Sequence, residues 1–263
     1  MDSPRDVVPY LAGRLAGEAR IYAQLDSTNS LLKELADDGA AEGLVIVADE
    51  QTSGRGRHGR AWRSPAGAGL YASVLLRPVI SVSDVALLSL AAGLAVADTL
   101  TGLAVMPVEL KWPNDVLVAG RKICGILAEA SFRDNRADWV VLGIGINLHV
   151  EAVPLEMSDR ATSLDQEGVP IEARELLLPL LAGLGRWYGR LETAGADAIV
   201  SEWSALSPMS TGRVVRIDDG REVFEATTDG ITPAGTLRVR LADGHTTTLS
   251  AGDVTLKPGV ARD

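Results

Sequence analysis

Cysteine is almost missing from this chain: Cys124 is the single one among 263 residues. An intramolecular disulfide is therefore excluded, which suits a reducing compartment, although a secreted protein poor in cysteine has the same composition. Cations are in the minority, 25 Lys and Arg against 35 Asp and Glu, for a formal net charge of −10. A balance of that sign opposes encounter with a polyanion, so it argues against non-specific nucleic-acid binding. It leaves room for one local cationic site. The start, MDSPRDVVPYL, lacks a basic stretch followed by an apolar one, and no signal peptide is expected. The most apolar run, Val85 to Ala97, stops at Asp98 and reads as too short to cross a bilayer. The expectation is a cytoplasmic protein with neither membrane nor nucleic acid among its partners.

What is present suffices for one large domain, or a main domain with a small companion: 46% of residues are hydrophobic and 23% charged. Asp26-Ser27-Thr28-Asn29 is a cluster of capping residues, and Leu31, Leu32 and Leu35 follow at helical spacing. Gly43 to Gln51 and Leu70 to Pro78 read as buried strands. Ser83 to Thr101 reads as a buried helix capped by Ser83. Val108 to Trp112 is a short strand ended by Pro113, and the next segment turns at Ala119-Gly120 into a return strand carrying Lys122. Trp139 to Val150 is a strand interrupted by Gly143 and Gly145, and glycine inside a strand often marks a close approach. Two helical patterns follow, over 172–194 and 195–206. From Gly212 onward short β-rich pieces alternate with turns at Asp219-Gly220, Asp229-Gly230 and Asp243-Gly244, the pattern of a small barrel. Ser207-Pro208 marks the expected boundary between domains 1–207 and 208–263.

Four stretches carry polar chemistry. GRGRHGR, residues 54–60, joins glycines that permit close backbone approach to arginines that fork onto phosphate or carboxylate. Taken alone, it fits a solvated turn, an anion cradle or an arginine–glycine nucleic-acid grip. Lys111-Trp112-Pro113-Asn114-Asp115 delivers two polar side chains at a sheet rim, or is an ordinary Asn-Asp turn. Lys122 opens an apolar strand, where alternation puts it on one face with Cys124 and Ile126. There it needs an anionic partner, unless it is simply exposed after the turn. Gly143-Ile144-Gly145-Ile146-Asn147 is too short for a dinucleotide fingerprint; Asn147 bonds a base edge or ends the strand.

In this order and spacing, Ser27-Thr28-Asn29, Gln51-x-x-GRGRHGR-x-Trp62, KWPND, RKICGIL and GIGIN, the chain resembles the biotin–protein ligases over nearly its whole length. Lipoate–protein ligases share the catalytic fold without this pairing of GRGRxGR and KWPND. The resemblance implies an α+β fold, a class II synthetase-like catalytic domain with a mixed sheet flanked by helices, followed by an SH3-like barrel. It implies ATP-dependent formation of biotinyl-5′-AMP and transfer of biotin to a lysine of the biotin carboxyl carrier domain of a carboxylase such as acetyl-CoA carboxylase.

By position, the resemblance assigns Ser27, Thr28 and Gln51 to the biotin ureido ring, and Asn29 to the biotin site with them. Gly125, Leu127 and Gly143 line the apolar pocket. Gly54, Arg55 and Arg57 clamp carboxylate and phosphate, and Lys122 contacts the reacting groups. Arg60, Lys111 and Asn114, with Mg²⁺, serve the triphosphate. Trp62 and Asn147 serve the adenine, and Asp115 orients or deprotonates the carrier lysine. No protein-bound metal centre is implied. His58 stands at a variable position of the motif. About 20 residues precede the Asp26 cluster, so no DNA-binding domain is expected and the chain reads as monofunctional. A monomer or weak homodimer is expected.

Overall fold

In a computed structural model, which describes residues 3–105 and 107–256, the chain opens with a hairpin that the sequence pattern did not signal. β1 (Asp6–Ala12) and β2 (Leu15–Leu25) turn at Gly13, whose φ of 60° suits glycine. β1 contains Pro9 and is an edge strand, where a missing N–H is tolerated. The expected helix is α1 (Thr28–Asp37), capped by Ser27, whose Oγ accepts from the Ser30 N–H at 3.5 Å.

β3 (Val45–Gln51), β4 (Gly69–Leu76), β5 (Val108–Lys111), β6 (Asp115–Val118), β7 (Arg121–Arg133) and β8 (Arg136–Asn147) complete an eight-stranded mixed sheet. Its order is β1-β2-β3-β4-β8-β7-β6-β5. β2 and β3 pair in parallel because α1 carries the crossover between them; all other neighbours are antiparallel. The β6–β7 hairpin turns at Ala119-Gly120 as expected, both residues having positive φ, 49° and 76°.

α2 (Val85–Gly102) starts after a 3-10 turn over Val82–Asp84, and its N-cap is Asp84 rather than Ser83. The Ser83 hydroxyl is instead 2.6 Å from the Ser81 hydroxyl, which donates to Asp84 Oδ2 at 2.8 Å. Nor does the apolar run stop at Asp98. The helix continues because that carboxylate sits on its surface and accepts from Trp187 Nε1 at 2.8 Å and Arg186 Nη2 at 3.2 Å. By length and composition the helix is therefore long and apolar enough to span a membrane, which corrects the sequence reading. In the fold it is buried, with Leu88, Leu90, Leu94, Val96 and Leu100 each 1% exposed or less. Burial of each such side chain contributes about 1.5–3 kcal/mol. α3 (Ala173–Ala194) and α4 (Ala196–Ala205) pack with α2, so three helices cover one face of the sheet. α1 covers part of the other face through Leu31 and Leu32, which meet Ile46, Leu75 and Val141.

The C-terminal strands are β9 (Thr211–Asp218), β10 (Val223–Ile231), β11 (Leu237–Arg240), β12 (Thr246–Leu249) and β13 (Asp253–Leu256). They form an antiparallel sheet, β12-β11-β10-β9-β13, that is open in its pairing, with β12 and β13 at its edges. Asp219-Gly220 and Asp243-Gly244 turn the chain as expected; Asp229-Gly230 does not. Gly230, with φ 97°, lies inside β10, where the register shifts and a bulge takes up the residue. The reversal comes at 232–235, where Gly235 N–H donates to the Thr232 carbonyl at 2.8 Å. This sheet rests on the larger unit through Trp112, whose Nε1 donates to the Gly235 carbonyl at 3.0 Å.

Candidate functional site

β7 and β8 pair so that Gly125 stands opposite Gly145 and Leu127 opposite Gly143. These residues alternate with Ile126, Ile144 and Ile146, which belong to the core under α2. Over the glycine-bearing side lies a cavity of about 490 Å³, a size that takes a ligand of a few tens of atoms. The glycines are close approaches. A Cβ on Gly143 would fall 2.3 Å from Asn29 Oδ1, and one on Gly145 would fall 2.6 Å from Trp62 Nε1.

The start of α1 and the end of β3 form one wall. Thr28 donates to Gln51 Oε1 through N–H at 2.9 Å and through Oγ1 at 3.1 Å. Gln51 Nε2 donates to Ser64 Oγ at 2.9 Å. Beneath them the Ser73 hydroxyl lies 2.6 Å from Asn29 Oδ1 and 2.7 Å from Thr28 Oγ1. Ser27, Thr28 and Asn29 are buried polar residues, and this network holds Thr28 and Asn29 in register while Ser27 caps α1.

The Gly/Arg loop forms the roof. It closes on itself: Trp62 N–H donates to the Gly54 carbonyl at 2.9 Å and Gly56 N–H to the Arg60 carbonyl at 2.7 Å. At its tip His58 adopts φ 55°. Arg55 donates to Ser30 Oγ at 2.8 Å, and Arg60 pairs with Asp253 of β13. Arg57 lines the cavity, where desolvation lowers its pKa despite the carboxylates of Asp253 and Asp115. Trp62 lies across Gly125 and Gly145, with its buried indole N–H unpaired.

Lys122 has the anionic partner that its position demanded: Asp115 Oδ1 is 2.6 Å from its ammonium. It does not share a face with Cys124 and Ile126. The β6–β7 register shifts, Val116 pairing Cys124 and Leu117 pairing Lys122, so Ile123 is an extra residue. That bulge turns Lys122 to the side of Gly125, within 5.2 Å of the Trp62 ring centroid. Cys124 remains in the core, where burial pushes its thiol pKa up. Asn114 lines the cavity and ties the rim, its Nδ2 donating to the Ile126 carbonyl at 2.7 Å. Asn147 lines it with Nδ2 donating to the Thr162 carbonyl at 2.9 Å.

Two residues singled out in the sequence lie elsewhere. Gly54 is outside the cavity; a Cβ there would meet the Trp62 carbonyl at 2.4 Å, so its space serves the crossing of the loop's two arms. Lys111 lines a separate gap with Trp112, Ser207 and Met209 at the junction with the C-terminal sheet. Conversely, Arg63, Tyr71, Glu156, Met157, Arg160 and Asp253 line the cavity without having been picked out. Arg63 extends the basic run past Trp62, a signal that was there to read. The segment that holds Glu156, Met157 and Arg160 has no periodicity and is docked by backbone bonds to Lys122: Lys122 N–H to the Arg160 carbonyl at 2.8 Å, and Thr162 N–H to the Lys122 carbonyl at 2.9 Å.

A family model for biotin/lipoate A/B protein ligases matches residues 21–147, which include the wall, the loop and the floor. The chain is 41% identical over 245 residues to the biotin–[acetyl-CoA-carboxylase] ligase of Mycobacterium tuberculosis, covering 89% of this chain and 87% of that one. It is 34% identical over 238 residues to the bifunctional ligase/repressor BirA of Bacillus spizizenii, covering 89% and 73%. Among solved structures it is similar to the biotin protein ligase from Aquifex aeolicus in complex with biotin and ATP. That match has 30% identity and a TM-score of 0.77, over 91% of this chain and 98% of that one. The chain belongs to the biotin/lipoate A/B protein ligase family and, within it, to the biotin–protein ligases.

Proposed function

We propose that the chain activates biotin with ATP as biotinyl-5′-AMP and passes the biotinyl group to a lysine of a biotin carboxyl carrier domain. The carrying observation is the convergence of Lys122, Asp115 and the arginine loop over one glycine-floored cavity. In the first step a biotin carboxylate oxygen attacks the α-phosphorus, and the bond to the β-phosphate breaks as pyrophosphate leaves with its electron pair. Both reactants are anions. Arg55, Arg57, Arg60, Arg63, Lys122 and Arg160 around the cavity outweigh Asp115, Glu156 and Asp253 there, so the wall supplies the compensating charge. Ser27, Thr28, Asn29 and Gln51 take the ureido ring; Gly125, Leu127 and Gly143 take the apolar rings. Trp62, Asn114 and Asn147 serve the nucleotide, and Arg57 serves its phosphate. In the second step the carrier amine attacks the acyl carbon, loses a proton and displaces AMP. Asp115, drawn up by Lys122, orients that amine. Adenylates hydrolyse readily, and a loop roof excludes water.

Among the described residues no cluster of three or more His, Cys, Asp or Glu could hold a metal. Of the carboxylates lining the cavity, Asp115 and Asp253 are in ion pairs, which leaves Glu156 to meet a Mg²⁺ that would take most of its ligands from the triphosphate and neutralise its charge. Lys111, outside the cavity, is left with a supporting role at the junction of the two units. We read these as 1–207 and 208–263, the latter as an SH3-like barrel on the strength of five short antiparallel strands. The net charge of −10 supports a ligase without operator binding. The lone cysteine supports a cytoplasmic setting, and β1 and β5 are the sheet edges at which a weak homodimer would form.

ATP–pyrophosphate exchange tests the reading. Biotin is expected to support exchange and lipoate not; exchange with lipoate alone overturns it. Absence of exchange, with nucleic-acid binding abolished by Arg55→Ala and Arg57→Ala, would make the loop a nucleic-acid module instead.

A further inference from the structure

Glu129 lies outside the cavity, two residues along β7 from Leu127 and opposite Val141 of β8. Its carboxylate is divided. Oε1 accepts from Lys33 Nζ at 2.5 Å, whereas Oε2 accepts from Asn29 Nδ2 at 2.8 Å and stands 3.7 Å from Arg55 Nη2. Burial alone would raise its pKa; the bonds from Lys33 and Asn29 outweigh that and hold it low, so the group is ionised. From Asn29 the polar contacts run on through Ser73, Thr28, Gln51 and Ser64, whose hydroxyl donates to the Trp62 carbonyl at 3.2 Å. A single chain of contacts thus leaves the loop at Arg55, crosses the pocket wall and rejoins the loop at Trp62.

We propose that Glu129 is a positioning residue: it anchors the first arginine of the loop to the pocket wall, so that filling the pocket and holding the roof shut are one event. The proposal rests on the ligase reading above for what fills the pocket, but not for the anchor itself. It divides the loop's arginines by task. Arg55, at the edge of the cavity, is the one held by the wall through Ser30 and Glu129, while Arg57 lines the same cavity without a bond to that wall. A ligand bonded to Thr28 or Gln51 tightens the chain that passes through Glu129 to Arg55, and through it the loop.

The test uses the full chain. Adenylate is formed from biotin and labelled ATP, chased with unlabelled substrates, and its release timed. Arg55 is partly exposed, so the effect is modest: Glu129→Gln is expected to release adenylate about fivefold faster. The maximal exchange rate should stay within about twofold of wild type, because no group at the reacting atoms has changed. Lys33→Ala removes the other partner of the same carboxylate and should release at the wild-type rate. Arg55→Ala with Glu129→Gln should release no faster than Arg55→Ala alone, since the two act through one contact. Wild-type release from Glu129→Gln, equal acceleration by Lys33→Ala, or additivity in the double variant overturns the proposal. Tryptic cleavage of the ligand-free chain between Arg55 and Arg60 reads the anchor independently. It should be faster in Glu129→Gln than in wild type or Lys33→Ala, and equal rates overturn the anchor. A wild-type chain that forms no adenylate sinks the ligase reading, and the proteolysis result still decides the anchor.

Discussion

Toward α2, strands β7 and β8 present Cys124, Ile126, Leu142, Ile144 and Ile146, each 2% exposed or less. Toward the cavity the same two strands present Gly125, Leu127, Gly143 and Gly145. A strand alternates its side chains, so the paired segments 124–127 and 142–146 serve both purposes without compromise. The core side is filled to exclude solvent. The cavity side is emptied, and the room is taken by Asn29 and Trp62 arriving from other elements. Stability and chemistry are thereby assigned to alternate positions, and substitutions on the two sides should fail differently.

The largest effect is expected on the cavity side at Lys122, whose ammonium sits against Asp115 and over Trp62. Lys122→Ala should lower biotin-dependent exchange by about 10²–10³-fold, the range seen when one preorganised donor to a developing charge is removed. Circular dichroism and the thermal midpoint should change little. Lys122→Arg should not restore activity, because a planar fork does not replace a compact ammonium. Near-normal exchange in the purified alanine variant would remove Lys122 from the chemistry.

On the core side Leu142→Ala should do the opposite. Leu142 is fully buried within the core under α2, so truncation should cost about 3 kcal/mol of stability. For a chain of this size that lowers the thermal midpoint by about 10 °C. Exchange per folded molecule should be unchanged at a temperature where the variant is folded. A loss of activity without loss of stability would mean that the two sides are not independent.

The division was partly legible from the letters. Gly143 and Gly145 stand out inside an apolar strand, and the capping cluster before Leu31 announces α1 with its polar residues turned to the site. Local signals of that kind survive folding because neighbours in sequence cause them. Lys122 shows the limit: alternation put it with Cys124 and Ile126, and one extra residue, Ile123, reversed that. A bulge is a property of the pairing, which a single strand does not encode. Asp253 and the 150–161 segment reach the cavity from far along the chain, and nothing local marks them. Asp229-Gly230 looked like a turn and became a bulge for the same reason: its partners on β9 and β11 decide whether the glycine bends the strand or reverses it. Pro9 hid β1 because proline argues against a strand until the strand is known to be an edge.

The smallest effect, and the sharpest test of the division, is at Gly145, one residue from Ile144 of the core. In a strand, alanine is intrinsically preferred to glycine by about 0.5–1 kcal/mol, which offsets part of any strain. The new Cβ would stand 2.6 Å from Trp62 Nε1, so the indole must shift, and its N–H has no hydrogen bond to lose. Gly145→Ala should therefore leave the thermal midpoint within about 3 °C of wild type, equivalent to 1 kcal/mol or less. The KM for ATP in the exchange reaction should rise about tenfold, as expected when about 1.4 kcal/mol of nucleotide binding is lost with Trp62 displaced. A midpoint lowered by 10 °C with KM unchanged would place Gly145 with the core, and the cavity floor would then have to be drawn elsewhere.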